Sequence, residues 1–287
     1  MSDAPASIWL VGAGNMGGAM LRRWIASGID PATVTVIDPS ATGVPEGVRV
    51  LTDEPGGTPE VIVLAVKPQL VASVLPSSRR KAGSQAAEGL SAARDPGVRR
   101  DDGQGPVLIS VLAGVEEAVL FAQFGVSAVV RAMPNLPVSL GKGVVALHTS
   151  SNDASVRDIA ETLMAPLGLV EWIAEENFFH AVTALSGSGP GFVYRFIEAL
   201  AEAGTTLGLP ADQAQRFAVA TVEGAAALAG QAGEAPAVLA DRVASPGGTT
   251  RAGLNVLDRG NALKRLVAET LTAAADRSAE MAEAARK

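Results

Sequence analysis

The chain contains no cysteine, two histidines and one tyrosine among its 287 residues, and aromatic residues make up only 4% of it. Without thiols there are no disulfides, iron–sulfur clusters or thiolate nucleophiles. The histidines, His148 and His180, stand far from each other and from any ligand-spaced partner, so no bound metal is expected. Basic residues are in deficit, with 23 Lys+Arg against 30 Asp+Glu and a formal net charge of -7. No segment gathers enough base to follow a phosphate backbone, so nucleic acid is not an expected partner. Long apolar runs are missing too: 48% of the residues are hydrophobic, yet Gly, Pro or charge interrupts every run. None reaches the ~20 residues a membrane-spanning helix needs, and no membrane association is expected. The opening Met1-Ser2-Asp3-Ala4-Pro5 lacks a basic stretch followed by an apolar one, which leaves the cytoplasm as the expected location.

What is present reads as two domains, residues 1–175 and 176–287. In the first, short β-branched runs alternate with helical patterns, as in βαβ units of a parallel sheet. Strands are expected at 8–11, 34–37, 61–66, 107–112, 128–131, 144–147 and 169–173. Several are apolar throughout, as strands covered on both faces should be. Residues 77–105 interrupt this order with Arg79, Arg80, Lys81, Arg94, Arg99 and Arg100 and no aromatic, and read as a flexible surface insertion. After Glu175 the strand signal gives way to Ala/Leu-rich helices. Phe192, Phe196, Leu200, Ala203 and Leu207 form an apolar stripe at helical spacing, and Ala225 to Ala229 offer small side chains on nearly every face. Such helices have more apolar surface than a domain of this size covers by itself, which predicts a homodimer.

Three glycine-bearing clusters carry the chemistry. The first strand runs into Gly12-Ala13-Gly14-Asn15-Met16-Gly17, a G-x-G-x-x-G opening a helix with Met20, Leu21, Trp24 and Ile25. Gly12 permits the tight turn, Gly14 the approach of a pyrophosphate and Gly17 the packing of helix on strand, with helix N-terminal amides facing the anion. Asp38 ends the second strand at the distance where a carboxylate accepts from a ribose hydroxyl and repels a 2′-phosphate, which favours NADH; it also suits a cap of the following turn. Ala65-Val66-Lys67-Pro68, Ala113-Gly114 and Met133-Pro134-Asn135 follow strand ends and converge on the same crevice. The second cluster, Ser186-Gly187-Ser188-Gly189-Pro190-Gly191, interrupts a helix expected from near Glu176; it reads as an amide nest for a carboxylate or a nicotinamide edge, or as a hinge. The third, Ser245-Pro246-Gly247-Gly248-Thr249-Thr250, leads into a helix whose first amides face back at the loop, an arrangement for an anion.

In this order, and together with Arg131-Ala132-Met133-Pro134-Asn135, these segments closely resemble pyrroline-5-carboxylate reductases over 8–279. The resemblance implies an α/β N-terminal Rossmann-type domain with a mostly parallel sheet, followed by an all-α C-terminal dimerisation domain. It also implies reduction of 1-pyrroline-5-carboxylate to L-proline by NAD(P)H. Under it, Val11, Gly12, Gly14, Asn15, Met16, Gly17, Asp38, Ala65, Val66, Lys67, Pro68, Ala113, Gly114 and Asn135 serve the cofactor. Ser188, Gly189, Ser245, Gly247, Gly248 and Thr249 serve the substrate, and the Thr250 hydroxyl bonds the ring nitrogen as the catalytic group. No strong acid or base is required, because a protonated cyclic imine is already electrophilic.

Three positions depart from the family pattern: Leu136 where threonine commonly follows Met-Pro-Asn, the longer 77–105 segment, and Asp38 where members using NADPH carry Ser, Asn or Arg. Two other functions compete. A β-hydroxyacid dehydrogenase needs a lysine where this chain has Val193, and so would lack its proton acceptor. A dinucleotide sensor without catalysis would share the first cluster but has no use for the third.

Overall fold

The computed structural model describes residues 4–67, Leu70 and 105–286. Pro68 and residues 77–104 of the expected insertion lie outside the described residues. The chain separates into two compact units, Met1–Gly187 together with Asp276–Lys287, and Ser188–Ala275. The helical turns just after Glu175 and the chain's last turns therefore group with the sheet. Hydrogen bonds explain this: Asn135 reaches Ser186, and His180 Nδ1 lies 3.0 Å from Ser278 Oγ.

In the first unit the strands are β1 (Ile8–Val11), β2 (Val34–Ile37), β3 (Arg49–Leu51), β4 (Val61–Leu64), β5 (Val107–Ser110), β6 (Ala128–Pro134), β7 (Gly143–His148) and β8 (Gly168–Trp172). They form one sheet ordered β3-β2-β1-β4-β5-β6-β7-β8. Every pair is parallel except β6 with β7, where Pro134 lies opposite Val145 and Arg131 opposite His148. The reversal follows from chain length, since a turn at Leu136–Leu140 joins these strands and a parallel crossover needs a dozen residues or more. β1, β4 and β5 are buried at every position, as their Val/Ile/Leu content demands of strands covered on both faces.

Helix α1 (Asn15–Ala26) buries Met20, Leu21 and Trp24 against one face, and the Trp24 indole N–H donates to Leu163 O at 2.6 Å. Residues 61–66 leave the ladder early, at Leu64, where the chain turns out toward the site. The strand that periodicity misses is β3, three residues long, with Arg49 and Val50 exposed. It is one edge of the sheet, and β8 is the other. On β8, Glu171 is exposed, and Trp172 lies beneath the Arg157 guanidinium at 4.5 Å while donating its N–H to Glu161.

Among the described residues this unit also contains helices α2 (Glu117–Gln123) and α3 (Ala154–Met164), and a helical passage after β8. That passage comprises a turn at Glu176–Phe178, α4 (Phe179–Val182) and a π-turn at Thr183–Gly187. In the second unit, α5 (Gly189–Thr206) and α6 (Ala211–Ala232) pack on one another where Gly204 meets Ala214. α7 (Pro236–Arg242), α8 (Thr249–Asp258) and most of α9 (Ala262–Arg286) follow. Among the described residues much of the apolar stripe is exposed: Phe196 is 48% and Leu207 88% exposed, and Tyr194, Phe217, Leu228 and Leu266 are exposed as well.

Candidate active site

The sheet reverses its order of connection at β1, with β2 on one side and β4 on the other, so a crevice opens beyond their carboxyl ends. The glycine-rich loop lies there. Gly12 takes φ +93°, and a Cβ on it would stand 2.6 Å from Val66 Cγ1 and 2.8 Å from Ala65 O. At Gly17 a Cβ would stand 2.1 Å from Gly12 O, so α1 presses directly on the turn it leaves. Gly14 differs: it is exposed and nothing lies within 4 Å of where its Cβ would be. It begins α1 without any side-chain cap, and the first turn carries no acid. Free amides beside open space at a helix N-terminus are the arrangement that accepts a diphosphate, so these residues fit the dinucleotide half of the expected chemistry.

Asp38 closes the crevice on the β2 side. Its carboxylate accepts from Ala13 N at 2.8 Å and, with its other oxygen, from Ser40 N at 2.8 Å. The same side chain caps the next turn and ties it to the glycine-rich loop. Val11, Asn15, Met16, Ala65, Val66 and Lys67 gather at this crevice, with Lys67 exposed. Ala113 and Gly114 lie one strand further along, on the loop after β5. They line a cavity of about 280 Å³ with Arg131, Met133, Glu176 and His180. Asn135 lies just past the end of β6. It is 7% exposed, and its side chain donates to Ser186 O at 3.0 Å and accepts from Val144 N at 2.8 Å. Leu136 next to it is exposed on the turn.

Composition and periodicity do not reveal the partly buried ionic group that lines that cavity. Arg131 pairs with Glu176 at 2.8 Å and lies over the Phe179 ring at 4.3 Å. Glu176 also accepts from Glu117 N at 2.7 Å, and Glu117 accepts from the amide and hydroxyl of Ser150. Two glutamates and an arginine separated by up to 59 positions meet only through the fold.

The second glycine cluster interrupts the regular helix, as expected. Ser186 to Gly191 does not open the helix into a loop: the chain passes through the π-turn and continues as α5, with Gly191 N donating to Ser188 O at 2.9 Å. The irregularity is a widened helical turn, a form often found at functional sites. The third cluster has the expected shape. Pro246 and Gly247, the latter at φ +76°, make a tight turn closed by Gly248 N to Ser245 O at 3.0 Å. A Cβ on Gly248 would stand 2.7 Å from Ser245 Oγ, so the serine hydroxyl packs on the turn itself. Gly248 begins α8 with no side-chain cap, and Ser245, Gly247, Thr249 and Thr250 are exposed. Arg251 anchors the other side of the turn, pairing with Asp241 at 2.6 Å.

Residues 176–281 match the family model described as pyrroline-5-carboxylate reductase dimerisation, and residues 7–87 match one described as NADP oxidoreductase, coenzyme F420-dependent. The chain is 34% identical to the pyrroline-5-carboxylate reductase of Pisum sativum, with 96% of each chain covered. It is 35% identical to that of Glycine max, again with 96% of each covered. A solved pyrroline-5-carboxylate reductase structure from Coxiella burnetii superposes with a TM-score of 0.81 at 32% identity, covering 97% of this chain and 98% of that one. With the uncapped helix start, the widened turn and the Ser245–Thr250 turn all in the order the motifs set, the chain belongs to the pyrroline-5-carboxylate reductase family.

Proposed function

We propose that this chain reduces the C=N bond of 1-pyrroline-5-carboxylate to give L-proline, using a reduced nicotinamide dinucleotide. The observation that carries the reading is the Ser245–Thr250 turn, an exposed run of amides ahead of an uncapped helix with a threonine hydroxyl immediately after it. It suits a small carboxylate with a polar ring atom beside it. In this reading the amides of Gly247 and Thr249 take the carboxylate, Gly248, whose N–H closes the turn onto Ser245 O, holds them in place, Ser245 stiffens the turn, and Thr250 Oγ1 bonds the ring nitrogen. Ser188 and Gly189 supply further contacts to the imino acid.

The reduced dinucleotide, when bound, supplies the hydride. Gly12, Gly14, Asn15, Met16 and Gly17 hold its diphosphate, and Val11, Ala65, Val66, Lys67, Pro68, Ala113 and Gly114 flank it. What the chain adds is mainly alignment, because the protonated imine needs no further activation. The test is loss of reduced nicotinamide when the imine is added to purified protein. Oxidation of 3-hydroxyacids without any imine, or dinucleotide binding with no turnover, would overturn the proposal.

Asp38 selects the cofactor. Its carboxylate is held from both sides by Ala13 N and Ser40 N, so it cannot swing away from a 2′-phosphate. We expect kcat/KM with NADH to equal or exceed that with NADPH; a ratio favouring NADPH by about tenfold would count against this role.

The uncovered helices of the second unit support a homodimer. Burying a side chain such as Leu207 or Leu228 stabilises by roughly 1.5–3 kcal/mol, and several such residues are exposed. Sedimentation at micromolar concentration is expected to give a dimer, and a stable monomer would refute it.

A further inference from the structure

The π-turn at Thr183–Gly187 needs an explanation, because a widened turn gives up regular helix bonds. In an unbroken α-helix the carbonyl of Ser186 would accept from the N–H four residues on. That residue is Pro190, which has no N–H. A carbonyl left without a partner at a half-buried position is unfavourable, and here a side chain supplies the missing donor: Asn135 Nδ2 lies 3.0 Å from Ser186 O. The other end of the same amide accepts from Val144 N at 2.8 Å, which fixes its orientation. Hydroxyls of the turn bond back onto the helix before it, Thr183 Oγ1 donating to Phe179 O at 2.7 Å and Ser186 Oγ to Val182 O at 2.9 Å. Packing reinforces the tie, since Met133 Cε would lie 3.0 Å from a Cβ on Gly187.

We infer that Asn135, with Met133, is a positioning residue that holds the π-turn and so sets the backbone of Ser188 and Gly189 for the imino acid. The residue is 7% exposed, and both ends of its amide are already bonded within the chain. The functional part of the inference rests on the reductase reading above, because it assigns Ser188 and Gly189 to the substrate.

The test is Asn135→Ala, followed by Pro190→Ala in the same chain, which returns an N–H to the place where Ser186 O can use it. For Asn135→Ala we expect the dinucleotide Kd to stay within about twofold while KM for the imine rises roughly tenfold, the size of effect a small misplacement of a binding group produces. Adding Pro190→Ala should recover a large part of the lost thermal stability and lower the raised KM. Gly187→Ala gives an independent arm. Its methyl displaces the flexible end of Met133 by a few tenths of an ångström, and the same KM rise with an unchanged dinucleotide Kd is expected. If Asn135→Ala alone does not accumulate as folded protein, Gly187→Ala and the double variant decide the matter.

A dinucleotide Kd that weakens about tenfold at constant imine KM would make Asn135 a cofactor contact and overturn the inference. So would a drop in thermal stability with KM unmoved in both arms. If the parent protein reduces no imine, the reductase reading fails by itself. The clamp is then judged by stability and dinucleotide affinity alone: rescue of Asn135→Ala by Pro190→Ala upholds it, and absence of rescue refutes it.

Discussion

Gly14→Ala is expected to fold as the parent does and to bind the reduced dinucleotide about a hundredfold more weakly, a difference of roughly 2.7 kcal/mol. Nothing lies within 4 Å of the position its methyl would take, and its φ of -66° is open to any residue, so the folded chain meets no clash. Losing glycine's freedom in the unfolded chain stabilises by about 0.4–1 kcal/mol, and alanine at a helix start gives back a similar amount, so the two nearly cancel. The methyl stands where the diphosphate must approach the amides of α1. Calorimetric titration alongside a thermal melt checks both halves of the expectation. Gly17→Ala provides the contrast. Its methyl would stand 2.1 Å from Gly12 O, a backbone atom that cannot yield, and the ~1 kcal/mol gained from helix propensity does not offset that overlap. Stability and binding should fall together there, whereas at Gly14 they should separate. Equal loss of both at Gly14 would mean that this loop is scaffolding rather than a diphosphate seat.

Thr250→Ala should lower kcat by about a hundredfold, the usual consequence of removing one hydrogen-bonding group aimed at the reacting atoms. Dinucleotide affinity should not move, because the proposed reading gives Thr250 to the imine and the first glycine cluster to the dinucleotide. The site tolerates alanine structurally: Thr250 is exposed and sits in the first turn of α8, where alanine is the better helix former. Thr250→Ser keeps a hydroxyl and should retain activity within about tenfold of the parent. Stopped-flow single turnovers would assign the loss to the chemical step. An Ala variant with unchanged kcat would remove Thr250 from the mechanism and leave the carboxylate-binding amides as the turn's whole contribution.

The parts of the site that could be read from the chain are those in which one short segment carries its own geometry. Gly12 to Gly17 is such a segment, since a positive φ and a close helix–strand approach can be met only by glycine. Ser245 to Thr250 is another, with Pro and Gly at the positions a tight turn requires. Apolar strands such as Val61–Leu64 were equally legible, because burial on both faces leaves a continuous hydrophobic run. What escaped notice depends on partners distant in sequence. Arg131, Glu176 and Glu117 are ordinary charges until folding brings them together, and Asn135 looked like one more crevice residue until Ser186 and Val144 claimed both ends of its amide. The glycine and proline content of Ser186 to Gly191 signalled an irregularity but could not distinguish a broken helix from a widened one. That depended on whether another element supplied the donor Pro190 lacks. β3 was missed because three residues are too few to show a period.

The margins of the sheet have a consequence for the protein at high concentration. A strand of three residues at one margin offers too short a ladder for a foreign strand to add to, and at the other an outward carboxylate and a tryptophan shielded by a guanidinium interrupt the template. Fibrillar growth by strand-on-strand addition is therefore discouraged at both ends. Concentrated solutions or heat should produce amorphous precipitates held by greasy helical surfaces rather than thioflavin-positive cross-β material.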